Sequence, residues 1–314
     1  MQQGGFEVRP EQVIVTQGGQ HALFIALSAL TKPGDTILTE KLTYPGIKTI
    51  ASQLHVTLRG VEMDDEGLLP EAFDAACKAK RVRVLVCIPN LQNPTAATLS
   101  IERRQQLVAI ARTHDVMIVE DDVYGFLLAQ PPPPLVLMAP ERTYYLTSLA
   151  KSVLPGLRVG FLHVPDETKV EKVSAVIRST TWMVAPFLAE LAARWINEGT
   201  AQTLADWQRT EAKARQAMAA RILNRWTYQA GEATGLHFWL PLPSPWRTDD
   251  FVHWAQAGGV KVTAAGSFAP DRWDVPHAVR VCVSAATSRA QLEKALTTLD
   301  HLLSDRPGPW SATI

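Results

Sequence analysis

A lysine with a hydroxyl before it and a guanidinium after it is the most chemically loaded spacing in this chain. A β-type run over residues 143–147 ends at Ser148, and Lys151 follows three residues later. A Pro155-Gly156 turn then leads to Arg158 and Gly160. A lysine this close to the end of an apolar strand is expected to be partly buried. Burial lowers a lysine pKa and frees the amine as a nucleophile, which suits Schiff-base chemistry. Ser148 and Arg158 offer a hydroxyl and a permanent cation, both suited to a phosphate. A surface lysine beside a turn would show the same spacing.

Other positions carry chemistry of matching kinds. Gln17-Gly18-Gly19-Gln20 joins a strand to a helix, where free N–H groups and the helix dipole favour an anion. It is neither G-x-G-x-x-G nor a Walker loop, and a plain strand–helix connection also fits. Tyr44, before Pro45, could stack on a flat ring or sit in the core. Asn93, before Pro94, could donate its amide to a ligand oxygen or close a local Asx turn. Glu120-Asp121-Asp122 directly follows an apolar run. One of these acids could pair with a buried cationic ring nitrogen, and Tyr124 could reach a phenolic oxygen nearby. A solvated acidic loop or a cation site is the alternative, although a metal would want more ligands than are visible, so none is expected. Arg280 lies inside an apolar strand and must find an anion, either a structural acid or a substrate carboxylate.

The elements that must position these residues alternate. Strands are expected over 12–16, 36–39, 56–61, 82–89, 116–119, 143–147, 161–164, 235–241 and 278–284. Helices are expected over 21–31, 47–54, 70–80, 167–181, 249–257 and 288–303, with another capped by Ser100. Pro186 opens an amphipathic stretch broken at Gly199. It reads as a bridge from a large domain, 1–185, to a small C-terminal α+β domain, 186–314. Alternation of this kind predicts an α/β fold with a mostly parallel sheet, and such sheets bind ligands outside the carboxyl ends of their strands. Gly18, Gly19, Tyr44, Asn93, Asp121 and Lys151 each follow an expected strand end.

Composition excludes several classes. Lysine plus arginine and aspartate plus glutamate both total 31, and no basic block stands out, so this chain by itself is not expected to contact nucleic acid. Cys77, Cys87 and Cys282 show no metal spacing and read as packed thiols in a reducing compartment. No apolar run approaches membrane-spanning length, and Met1–Gly5 shows no signal-peptide pattern, so a cytoplasmic protein is expected.

Together these motifs resemble the fold-type I, pyridoxal-phosphate-dependent aminotransferases of class I/II. The likeness runs in order from about Val13 to the last strand. It rests on T-x-G-G-x-x-A-L, Tyr44-Pro45, N-x-x-N-P-T at 90–95, D-x-x-Y at 121–124, S-x-x-K with P-G-x-R-x-G at 148–160, and Arg280. The resemblance implies a seven-stranded sheet and pyridoxal 5'-phosphate as cofactor. It implies Lys151 as the residue bonded to the cofactor and as proton shuttle, and Asp121 as partner of the pyridinium nitrogen. Asn93 and Tyr124 would bond the phenolate oxygen, and Tyr44 would stack on the ring. Gly18, Gly19, Gln20, Ser148 and Arg158 would hold the phosphate, and Arg280 the substrate carboxylate.

Within that family the chain is most similar to the aminotransferase-like domain of MocR-type GntR regulators, through Gly18–Leu23, Glu120–Asp122 and Gly235–Phe238. That implies an amino acid or amine effector bound as an external aldimine, a homodimer, and DNA contacts made by a winged helix N-terminal to this segment. A stand-alone catalytic aminotransferase is the alternative. A nucleotide-binding or purely structural α/β fold is a third possibility. Two departures stand out. Ala96 replaces the usual glycine after Asn-Pro-Thr, which should only stiffen a turn. The family segment before Thr16, which lends a tyrosine to the neighbouring subunit's phosphate site, has no counterpart, so an isolated domain or a truncated product is expected.

Overall fold

Apolar runs separated by whole helices cannot pair as hairpins. They are joined by crossovers that leave the strands parallel and put helices on both faces. The computed structural model describes residues 8–226, 228, 234–270 and 275–304. The signal-peptide expectation for Met1–Gly5 lies outside those residues.

In the main sheet, the strands in chain order are β1 (Val13–Thr16), β2 (Thr36–Glu40) and β3 (Thr57–Val61), then, after a small two-stranded ribbon of β4 (Met63–Asp64) and β5 (Gly67–Leu68), β6 (Val84–Cys87), β7 (Met117–Asp121), β8 (Thr143–Ser148) and β9 (Gly160–His163). The seven-stranded sheet has the order β1-β9-β8-β7-β6-β2-β3. Neighbours from β3 to β8 are parallel. β9 runs antiparallel to both β8 and β1, so β1 points the same way as the parallel block. The carboxyl ends of β1, β2, β6, β7 and β8 therefore share one edge.

Because side chains alternate across a strand, each face has its own core. On one face α1 (Gly19–Leu30) is covered by α7 (Glu167–Thr180), burying Leu23, Ile25 and Leu27 against Val86, Val119 and Leu146. α2 (Gly46–Gln53) completes that side through Ile47 and Ile50. On the other face α3 (Pro70–Ala79), α4 (Ile101–Thr113) and the short α5 (Leu135–Met138) bury Phe73, Leu107 and Leu135 against Leu85, Cys87 and Ile118. Ser100 caps α4 as expected, its side chain accepting from Arg103 N.

After the one-turn α6 (Leu149–Ser152), the chain leaves β9 and α7 through α8 (Pro186–Asn197) and α9 (Thr200–Ile222). Gly199, with φ +81°, makes the bend between those two helices. A second sheet, in the order β10-β12-β11, is built from β10 (His237–Pro241), β11 (Thr263–Ala264) and β12 (Ala278–Cys282). α10 (Thr248–Ala257) and α11 (Arg289–Ser304) pack on it through Phe251, Leu292 and Leu296.

Two expectations need correction. β7 runs two residues beyond its expected end, because Glu120 and Asp121 still pair with Tyr145 and Leu146 of β8. Of the three thiols, Cys77 and Cys87 are buried but Cys282 is exposed. No described helix is long and apolar enough to cross a membrane.

Candidate active site

The site is assembled where β1, β6, β7 and β8 end. At the β1–α1 junction Gly18 adopts φ +85°, a left-handed value that side chains disfavour. A Cβ there would lie 3.0 Å from Arg158 Nη2. Gly160 is equally constrained, since its Cβ would lie 2.7 Å from the carbonyl carbon of Gly18. These glycines let the start of α1 and the Arg158 turn close on each other. Arg158 is left-handed (φ +49°) and donates through Nη2 to Gln17 O at 3.3 Å. The N-terminal amides of α1 and this guanidinium make a cradle for an anion. Ser148 Oγ donates to Val159 O at 3.1 Å and accepts from Ala150 N at 3.2 Å, so it must rotate to serve a phosphate.

Pleat alternation separates the three consecutive acids. Glu120 points to the α4–α5 face, where it accepts from Leu135 N and Val136 N, both at 2.9 Å, and lies 3.9 Å from buried Arg104. Asp122 turns into the following loop and accepts from Asn90 Nδ2 (2.8 Å), Gly125 N (3.0 Å) and Tyr145 OH (2.7 Å). Asp121 points to the α1 face and into the cavity. Its Oδ1 is buried and has no hydrogen-bond partner among the described residues. Burial, then the nearby Asp122 and Glu40 carboxylates, push the Asp121 carboxyl up to about 7, partly offset by the Val123 amide. Of the alternatives for these acids, the solvated loop is excluded for Glu120 and Asp121, and no described acid cluster could hold a metal.

A cavity of about 330 Å³ gathers the predicted residues. Gly19, Gln20, Tyr44, Asn93, Asp121, Tyr124, Ser148, Lys151, Arg158 and Arg280 all line it, and Gly18 stands behind it against Arg158. Lys151 differs from expectation. It sits on one-turn α6, beyond the end of β8, as an exposed residue and not a partly buried one. Tyr124 is buried, and burial raises its phenol well above the usual range. Tyr44 is half-buried and raised for the same reason, with Asp121 adding to the shift.

Arg280 on β12 reaches across to the main sheet and donates through Nη1 to Asn93 Oδ1 at 2.8 Å. Its guanidinium lies 5.0 Å from the Phe268 ring, a cation–π distance. Its buried Nε has no partner, and no described acid forms an ion pair with it, so the structural-acid alternative is excluded among the described residues.

Ala96 requires a correction. It is buried at φ +62°, the conformation glycine favours, so the alanine strains this corner instead of stiffening it. Gly46 was missed, although a Cβ there would collide with the Tyr44 ring and with Gln20 Oε1. Its only sequence signal was its place after Tyr44-Pro45. His237 was noted as part of a motif but not as a site neighbour. It is buried and packs edge-on to Tyr124 at 5.6 Å, which no local pattern could reveal.

The residues present fit pyridoxal 5'-phosphate. The orphaned Asp121 oxygen calls for a buried donor, and the glycine cradle with Arg158 can take an anion. A flat ring carrying both groups satisfies both, with a primary amine on the same cavity wall.

Comparison with known proteins agrees. The family model for class I and II aminotransferases matches residues 2–299. The HTH-type transcriptional regulator YdeF of Bacillus subtilis is 34% identical over 305 residues, covering 97% of this chain and 66% of its own. The HTH-type transcriptional regulator TauR of Rhodobacter capsulatus is 30% identical over 265 residues, 82% of this chain and 53% of that one. This chain thus spans between half and two thirds of the length of these relatives. Among solved structures, an archaeal alanine:glyoxylate aminotransferase superposes with TM-score 0.88 at 24% identity, over 95% of this chain and 76% of that one. The kynurenine aminotransferase of Pyrococcus horikoshii, in complex with PMP, gives 0.86 at 23% identity over 93% and 74%. With the sheet order, the cavity and these relatives in agreement, the chain is a member of the class I and II aminotransferase family and has the fold of the fold-type I pyridoxal-phosphate enzymes.

Proposed function

We propose that this chain is the pyridoxal 5'-phosphate-binding, aminotransferase-like part of a transcription regulator whose ligand is an amino acid or amine. The observation that carries the proposal is the buried, unpartnered oxygen of Asp121 in the cavity that Lys151 also lines. An ionised carboxylate with one buried oxygen unpartnered is costly in the interior, and a pyridinium N–H would satisfy that oxygen. Lys151 Nζ is the amine that holds the cofactor and moves a proton at the substrate Cα. Asn93 and Tyr124 bond the phenolate oxygen, and Tyr44 covers the ring. Gly18, Gly19, Gln20, Ser148 and Arg158 take the phosphate, with Ser148 turning its hydroxyl from Val159 O. Bound in this way, the cofactor supplies an electron sink for chemistry at the amino acid Cα.

The regulator half of the proposal rests on YdeF and TauR, the HTH-type regulators this chain matches. In it, a separate DNA-binding segment acts with a homodimer of this domain, which divides into large (1–185) and small (186–314) parts in the cytoplasm. A stand-alone amino acid aminotransferase is the second reading. Arg280 favours it, being a guanidinium in the cavity with no ion-pair partner among the described residues, as a substrate carboxylate would require.

The test is to mix purified protein with cofactor and treat it with borohydride. A visible absorption band and a mass label on Lys151 are expected, with both lost in Lys151→Ala. A colourless wild type, or a label elsewhere, rejects the proposal. Titration with amino acids then separates the two readings, since steady conversion to the pyridoxamine form marks an aminotransferase.

A further inference from the structure

We infer that Gln92, which does not line the cavity, is a positioning residue that fixes Tyr44, Asn93 and Tyr124 relative to one another. The inference rests on the proposed cofactor site and adds a residue to it. Gln92 is 1% exposed, and nearly every polar group it has is engaged. Its Nε2 donates to Leu42 O at 2.6 Å, fifty residues earlier in the chain. Its Oε1 accepts from Thr95 N at 3.0 Å and Thr95 Oγ1 at 2.9 Å. Its carbonyl accepts from Ala96 N at 2.6 Å and from His237 Nε2 at 3.0 Å.

Each bond reaches a different part of the site. Leu42 begins the loop that carries Tyr44, and the next residue is also held, Thr43 N donating to Phe268 O at 2.9 Å. Phe268 lies beneath the Arg280 guanidinium. Thr95 closes the turn that presents Asn93. His237 belongs to β10 of the second sheet and packs edge-on to Tyr124. Burial holds the His237 imidazole down to about 4, so it is neutral and its one N–H is committed to Gln92 O. A side chain serving only its own turn would need the Thr95 bonds alone. The side-chain bond to Leu42 and the main-chain bond from His237 together tie three segments that are distant in sequence.

The test compares Gln92→Leu, Gln92→Glu and a control on the far face of the sheet, Phe73→Leu. In cofactor-free protein, amide exchange in Gln92→Leu should rise together in residues 42–46 and 93–97, which the side chain holds, while 237–239, held by the main-chain carbonyl, should change less; none of these should change in Phe73→Leu. Affinity for pyridoxal 5'-phosphate in Gln92→Leu should fall about tenfold, because the substitution removes the side-chain bonds to Leu42 and Thr95 and part of that loss reaches the cofactor site. In Gln92→Glu the carboxyl can donate to Leu42 O only while protonated. The ratio of its Kd to that of wild type should therefore climb about tenfold as pH rises through the carboxyl pKa. The inference is overturned if faster exchange stays within 92–97, if Phe73→Leu weakens cofactor binding equally, or if the Gln92→Glu ratio is flat with pH. A wild type that takes up no cofactor would sink the proposed function, while the exchange experiment would still decide the role of Gln92.

Discussion

Glu120 and Asp121 are consecutive residues of β7, both are buried, and burial pushes both carboxyls up to about 7. Their surroundings differ completely. Glu120 faces α5, accepts two backbone amides and shares its pocket with Arg104. Asp121 faces α1 and leaves an oxygen unpartnered. One acid is satisfied within the fold and the other keeps an unmet hydrogen-bonding oxygen in the cavity. A perturbed pKa alone does not tell the two apart, and the unmet hydrogen-bonding capacity does.

The comparison can be broken in order of expected effect. Glu120→Ala should destabilise the protein by about 3–5 kcal/mol, because it strands Arg104 and two amides. Denaturant unfolding without cofactor measures this, and a loss below 1 kcal/mol would remove the structural role. Asp121→Asn should slow any cofactor-dependent conversion of an amino acid by about a hundredfold or more. It should also stabilise the cofactor-free protein at pH 8 by about 1–3 kcal/mol, since no ionised oxygen is left unpaired. A destabilised Asp121→Asn would contradict the assignment.

The pH dependence sharpens the same contrast. Asp121 rises from 3.8 to about 7 and Glu120 from 4.5 to about 7, so between those values the native state holds protons the unfolded chain has released. Their contribution is full below about pH 4, is lost as pH climbs to about 7, and is level above that. The wild type minus Asp121→Asn stability difference should decline over that window, and a difference that grows would refute the shift. Last, Ala96→Gly should stabilise by about 1 kcal/mol, because it relieves a left-handed alanine. Equal unfolding midpoints would show that the corner carries no strain.

Much of the site was legible as local spacing. Ser148, Lys151 and Arg158 lie within one strand–turn unit, and Gly18-Gly19 sits at the start of a helix, so their types and intervals carry their chemistry. Arg280 lies 187 positions from Asn93, its hydrogen-bond partner. Its place in the cavity was expected by resemblance and not from spacing. Ala96 misled because its backbone angle is set by the turn around it. Tertiary structure also gathers charge: Lys32 and Lys172, distant in sequence from the near neighbours Lys80, Arg81 and Arg83, join them in lining one cavity near the amino ends of β2 and β6. There Arg83 Nε donates to Leu30 O at the end of α1, the helix terminus that favours cations.

The sequence by itself determined the alternation of strands and helices, the shared carboxyl edge and the chemical type of each residue there. Hydrophobic period and turn composition are local properties, and they act before the chain folds back on itself. Only the tertiary structure decided which of three adjacent acids faces the cavity, that Lys151 stands exposed, and that Gln92 holds distant loops together. Those outcomes depend on which face of the sheet each side chain takes and on which atoms are left without a hydrogen-bond partner once every element is packed.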